Sequence, residues 1–177
     1  LGDVYKRQMY YFAKLIESKD IESLERRLIT TAYEDIGLAN PNACMRTVIA
    51  MQAAKTLGFP EARIPIASAI IDLCLSPKSK SSENAIDAAL TSLNERSLKT
   101  PSYLRLTPVG LEDDEKYDYS RPELWEYIQY LPKELGNTQF YVPWMTSNYE
   151  KALAENYRRI LKHGRTSDIK KLNQQNK

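Results

Sequence analysis

Apolar residues recur at helical spacing from Met9 to Leu93 and again from Leu153 to Leu161, and prolines and tyrosines interrupt the stretch between. Met9, Phe12, Leu15 and Ile16 mark one face of a first helix. Asp20 is the expected N-cap of a second, with Leu24, Leu28, Ile29 and Ala32 inward and Gly37 as its left-handed terminator. Asn40-Pro41 gives a third helix an N-cap and a proline at its first position. That helix carries Met45, Val48, Ile49 and Leu57 and stops at Gly58. Phe59-Pro60-Glu61 opens a fourth, apolar nearly all round from Ile64 to Leu75, which predicts the central helix of the core. Ser81 or Ser82 caps a fifth, with Ala85, Ile86, Ala89, Leu90 and Leu93 facing inward.

The texture changes after Ser97. Pro101, Pro108, Pro122, Pro132 and Pro143 follow at short intervals, and most of the tyrosines lie from Tyr103 onward. Glu123 to Tyr130 predicts a short helix and Thr138 to Val142 a short extended segment. Ser147 and Glu150 have capping-box spacing before a final helix with Leu153, Tyr157, Ile160 and Leu161, ended by Gly164. The expected fold class is all-α: a helical bundle of about five helices, a Pro/Tyr-rich irregular arm and a final helix. The body spans 9–99, the arm 100–146 and the final helix 147–164, so 9–164 is expected to form one structural domain. Residues 1–8 lack helical periodicity and read as a cloning scar, a sequence artefact or a truncated edge. Residues 165–177 are polar apart from Ile169 and Leu172 and read as a disordered tail.

Composition narrows the function. The chain has 177 residues, with 25 Lys plus Arg against 23 Asp plus Glu, a formal charge of +2. That near-balance argues against gripping nucleic acid by bulk charge. Two cysteines and one histidine exclude a Cys-rich zinc module or a disulfide scaffold and leave no basis for a histidine metal site. Cys44 and Cys74 read as reduced, buried thiols. No signal peptide and no apolar run of about 18 residues is present, so a cytoplasmic chain with no membrane partner is expected.

The candidate chemistry is sparse. Glu34 and Asp35 are adjacent, and neighbours on a helix do not share a face, so they make a poor acid–base couple. They read as structural acids, with Arg26 or Arg27 as ion-pair partner. Lys78 and Lys80, among serines ahead of a helix, are the best candidate for an anion or DNA contact, but the loop lacks the glycines of a Walker A motif. His163 complements the end of the last helix. The aromatic residues of the arm read as core or interface, with nucleobase stacking as the alternative. Arg158, Arg159 and Lys162 form the clearest basic run and a second candidate DNA contact.

Several blocks resemble a known family. They are Glu25-Arg26-Arg27-Leu28, Ala32-Tyr33-Glu34-Asp35-Ile36-Gly37-Leu38-Ala39-Asn40-Pro41, Leu57-Gly58-Phe59-Pro60-Glu61-Ala62-Arg63, Pro77-Lys78-Ser79, Tyr130-Leu131-Pro132 and Phe140-Tyr141-Val142-Pro143. In this order they resemble the C-terminal region of the MgsA/Werner-helicase-interacting AAA+ ATPases, a family of the clamp-loader clade whose bacterial members are replication-associated recombination proteins. The resemblance covers roughly Met9 to Lys162. Two positions depart from it: Tyr117-Asp118-Tyr119-Ser120-Arg121 replaces a Tyr-x-Tyr-Pro-His pattern, and Asn148 replaces a glycine. The resemblance implies a DNA-dependent ATPase acting at stalled forks with single-strand-binding protein, in the cytoplasm at the nucleoid. The ATP and Mg site would lie upstream, so no catalytic, cofactor or metal residue carries over to this chain. What carries over is a C-terminal domain that assembles homotetramers, with Tyr130, Phe140, Tyr141 and Trp144 as candidate interface residues. A DNA- or partner-binding helical module is the alternative.

Overall fold

The computed structural model describes the backbone of residues 2–175 and the side chains of residues 6–174. Seven α-helices are present among them: α1 Gly2–Glu17, α2 Ile21–Thr31, α3 Pro41–Leu57, α4 Arg63–Leu75, α5 Ser81–Glu95, α6 Asn148–Leu161 and α7 Ile169–Gln175. Short 3-10 turns carry the stretch between α5 and α6. The only β pairing among the described residues is an isolated bridge between Ile128 and Thr166. The all-α expectation holds.

The chain forms two compact units, Leu1–Asp87 with Tyr141–Ala154, and Ala88–Phe140 with Glu155–Lys177. The single domain expected over 9–164 is therefore divided, and α5 and α6 each cross from one unit to the other.

In the first unit α3 packs along α4, and α1 covers another side of α4. Leu24, Leu28, Ile36, Met51, Ile66 and Ile70 are buried together, with Met9, Phe12 and Ile16 packed on them. Asp20 caps α2 by accepting from Ser23 N–H at 3.0 Å. Asn40 caps α3 through Ala43 N–H at 3.2 Å, with Pro41 at the first position, as the sequence predicts. Pro60 does not open α4. A turn precedes it, and Pro65 takes the third helical position, where a missing N–H costs nothing.

Three other expectations change. Helix α1 starts at Gly2, so residues 2–8 are helical although they lack an apolar stripe. Helix α4 is not enclosed: Ile66, Ala69, Ile70 and Leu73 are buried, while Ile64, Ile71 and Leu75 face solvent. Helices α1 and α3 leave one side of α4 open, and apolar content all round does not create a further cover. The expected tail instead carries α7, whose Ile169 and Leu172 are buried with Leu124 and Ile128 in the core of the second unit. Thr166 N–H donates to Tyr127 O at 2.7 Å, which anchors the segment just before that helix. Asn173 adds a bond to Asp114 O at 2.8 Å, and Lys170 lies 3.5 Å from the Asp114 carboxylate.

Helix α2 ends in one π turn, Ala32–Ile36, followed by a 3-10 turn, Gly37–Ala39. Gly37 has φ +43°, and a Cβ there would lie 2.9 Å from Ser82 Oγ. Positive φ and close approach together require glycine.

Candidate assembly surface

The loop between α4 and α5 is held from several sides within the first unit. Lys78 turns its ammonium onto Leu73 O at 2.6 Å, closing the end of α4, and burial pulls its pKa down. Lys80 contacts Glu83 at 2.9 Å, Glu34 at 3.2 Å and Asp35 at 3.6 Å. The bonds to Glu83 and Glu34 push its pKa up. Ser79 N–H donates to Asp35 O at 2.9 Å, and Thr146 Oγ1 donates to Lys78 O at 2.7 Å.

Glu150 completes this arrangement. Its N–H donates to Ser147 Oγ at 3.1 Å, which is half of the predicted capping box. Its carboxylate turns instead to the hydroxyls of Ser81 and Ser79 and the N–H of Trp144, at 2.5, 2.8 and 3.2 Å from Oε1. Glu150 is fully buried, at 0% exposure. Burial pushes its carboxyl up, but the bonds from Ser81, Ser79, Trp144 and Thr146 outweigh that and hold it below the usual carboxylate range.

These contacts redistribute the predicted roles. Both lysines of the candidate anion site are engaged by the protein itself, Lys80 with three acids and Lys78 with a helix end. Glu34 and Asp35 pair with Lys80 and, among the described residues, not with Arg26 or Arg27. Arg158 pairs with Glu155 at 2.9 Å, Arg159 reaches Asn156 at 3.4 Å, and Lys162 is exposed, so that basic run faces solvent. His163 meets Glu126 at 3.1 Å and stacks edge-on against Tyr127. Cys44 is buried and Cys74 half-buried, both as free thiols.

The surface has an unexpected apolar component. Ile86, Ala89, Leu90 and Leu93 lie at i, i+3, i+4 and i+7 on α5, the pattern of a core face. They do not face a core: Ile86, Leu90 and Leu93 are 57, 50 and 56% exposed. In the second unit Ala89 and Leu93 form one wall of a groove of about 360 Å³. Leu98, Tyr130, Leu131, Leu135 and Phe140 line the rest. Tyr130 and Phe140 were singled out from the sequence, and the groove brings them together. Tyr141 and Trp144 belong to the other unit, with Tyr141 half-buried and Trp144 46% exposed.

In the first unit, Met45 and Ile49 of α3 and Ile71 and Leu75 of α4 also face outward. Arg46 of α3 holds Asp72 of α4 through two bonds of 2.7 and 3.1 Å. Sequence periodicity could not separate these faces from core, because an exposed apolar face has the same spacing as one that packs inside.

Comparison with known proteins adds a family. Residues 6–161 match the family model described as MgsA AAA+ ATPase C terminal. The chain is 45% identical over 161 residues to Replication-associated recombination protein A of Bacillus subtilis, covering 87% of this chain and 38% of that protein. It is 32% identical over 143 residues to an AAA domain-containing protein of Mycobacterium tuberculosis, covering 76% and 32%. It is 30% identical over 151 residues to Replication-associated recombination protein A of Escherichia coli, covering 80% and 34%. The chain thus spans about a third of the length of these relatives.

Proposed function

The chain belongs to the MgsA AAA+ ATPase C-terminal family, and from that premise we propose that it is the oligomerisation domain of a replication- and recombination-associated ATPase, joining copies into a homotetramer. The observation that carries this reading is the α5 stripe, three large aliphatic side chains left in solvent at core spacing. Contiguous apolar surface of this kind on a soluble chain marks an interaction site. The groove that starts from the same helix offers a place for apolar side chains of a second copy.

In the same reading ATP and Mg are bound upstream, and the intact protein acts on DNA at stalled forks with single-strand-binding protein, in the cytoplasm at the nucleoid. Assembly would hold several ATPase modules together, so that weak DNA contacts act in concert. No described helix is long and apolar enough to cross a membrane.

The test is Leu90→Glu with Leu93→Glu. Both side chains are at least half exposed, so the monomer should keep its fold. Unchanged circular dichroism with a drop in mass by light scattering supports the reading, and an unchanged mass excludes this stripe as the interface. The second reading, a DNA- or partner-binding module, is favoured by the solvent-facing Arg158, Arg159 and Lys162. It predicts weak, salt-sensitive binding of forked DNA.

A further inference from the structure

Leu106 and Val109 are the most exposed large apolar side chains among the described residues, at 93 and 83%. Both sit on one loop of the second unit. The base of that loop is closed, because Tyr117 N–H donates to Tyr103 O at 3.4 Å. Both tyrosines pack on the cluster of Leu124 and Ile128, and the Tyr103 hydroxyl donates to Gln129 O at 2.6 Å. At the tip, Pro108 has a ring-fixed φ and Gly110 takes φ +75°. A compact surface loop with joined ends is an Ω loop. This one holds Leu106 and Val109 out as a preformed knob, which has little freedom left to lose on docking.

The same unit holds a matching hole. Leu93, Leu98, Leu131, Leu135 and Phe140 wall the groove of about 360 Å³ beside α5. Arg96 is the one charged residue that lines it, and no ion pair holds that guanidinium among the described residues. The chain's own knob does not fill the groove, since Leu106 is almost wholly in solvent. Yet the loop departs from the groove wall. Pro101 lines the groove, and Leu106 follows five residues later, at most about 18 Å of extended chain.

We propose that the Leu106–Val109 knob of one copy seats in the α5 groove of a second copy. Knob and hole lie close together on one chain, so a two-fold pair exchanges two knobs for two grooves in a single contact. Each is apolar at its centre and polar at its edge, as interface cores are. Charge selects the seating. Lys116 holds Asp113 and Lys170 holds Asp114, whereas exposed Glu112, just past the knob, has no cation partner among the described residues. Set beside Arg96, Glu112 pairs with the one charge of the groove, and Arg105 at the other end of the knob is kept away from it. This inference rests on the assembly reading. It gives the assembly a contact apart from Ile86 and Leu90, which lie outside the groove.

The experiment measures the mass of the full 177-residue chain by light scattering, as wild type and as L106E/V109E. Both side chains stand in solvent, so circular dichroism should not change. The variant should fall to half the wild-type mass or less. A wild type of 20.4 kDa overturns the assembly reading and this contact with it. An assembled wild type and an equally assembled variant overturn this contact alone. A second measurement separates docking from repulsion by the new acids. Val109→Cys and Leu135→Cys chains are coexpressed and oxidised. A reducible covalent dimer of about 41 kDa, 2 × 20.4, should form in the mixture and with neither chain alone. No dimer in the mixture, or an equal yield from Val109→Cys alone, overturns the proposal.

Discussion

The hydroxyl of Ser81 donates to Oε1 of Glu150 at 2.5 Å, joining the start of α5 to the first turn of α6 across 69 residues of chain. Ser79 reaches the same oxygen at 2.8 Å. Replacing Glu150 with Ala leaves the buried Ser81 hydroxyl and the Trp144 N–H without their acceptor, and Ser79 with only the Ser81 oxygen at 2.9 Å. Chemical denaturation should show a loss of about 3 kcal/mol or more. A loss below about 1 kcal/mol would mean that this carboxylate does not organise the junction.

The same contact sets a pH dependence. The folded-state pKa of Glu150 lies below its ordinary value, so the native state favours the ionised form. Its contribution is complete above the ordinary carboxylate value and is lost as pH falls through the lowered one. The difference in melting temperature between wild type and Glu150→Ala should therefore be largest near neutral pH and shrink toward pH 3. A difference that grows on acidification would contradict the assignment.

Gly37→Ala tests the turn after α2. The positive φ and the 2.9 Å approach to Ser82 Oγ both oppose a methyl group. The expected cost is about 1–3 kcal/mol in thermal or chemical unfolding. An unaffected melting temperature would show that the turn relaxes freely.

Leu172→Ala tests the docking of α7. Leu172 is 6% exposed and shares a cluster with Leu124, Ile128 and Ile169. The substitution should cost about 2 kcal/mol and raise amide exchange across the second unit. Unchanged exchange would mean that the helix contributes nothing to the unit.

Much of this was legible in the chain itself. Asp20 and Asn40 cap the helices they were expected to cap, because N-cap chemistry is local. The Ser147 end of the capping box formed for the same reason, while the Glu150 end was captured by serines far away in sequence. The ion pairs failed similarly. Spacing along one helix offered Arg26 and Arg27 to Glu34 and Asp35, but folding brought Lys80 there from another element. Ile169 and Leu172 were too few to outweigh a polar composition in the sequence, yet both are buried, and Asn173 and Lys170 add polar contacts to Asp114 that spacing does not show. The stripe of Ile86, Leu90 and Leu93 is the most informative misreading. Its period is that of a core helix, and only a structure tells a face that is covered within the chain from one left exposed.

The most direct test of the central claim is the mass of this chain in solution at tens of micromolar, by sedimentation equilibrium. One chain weighs 20.4 kDa, so the assembly reading predicts a species near 4 × 20.4 ≈ 82 kDa. A single species at 20.4 kDa over that range would contradict it.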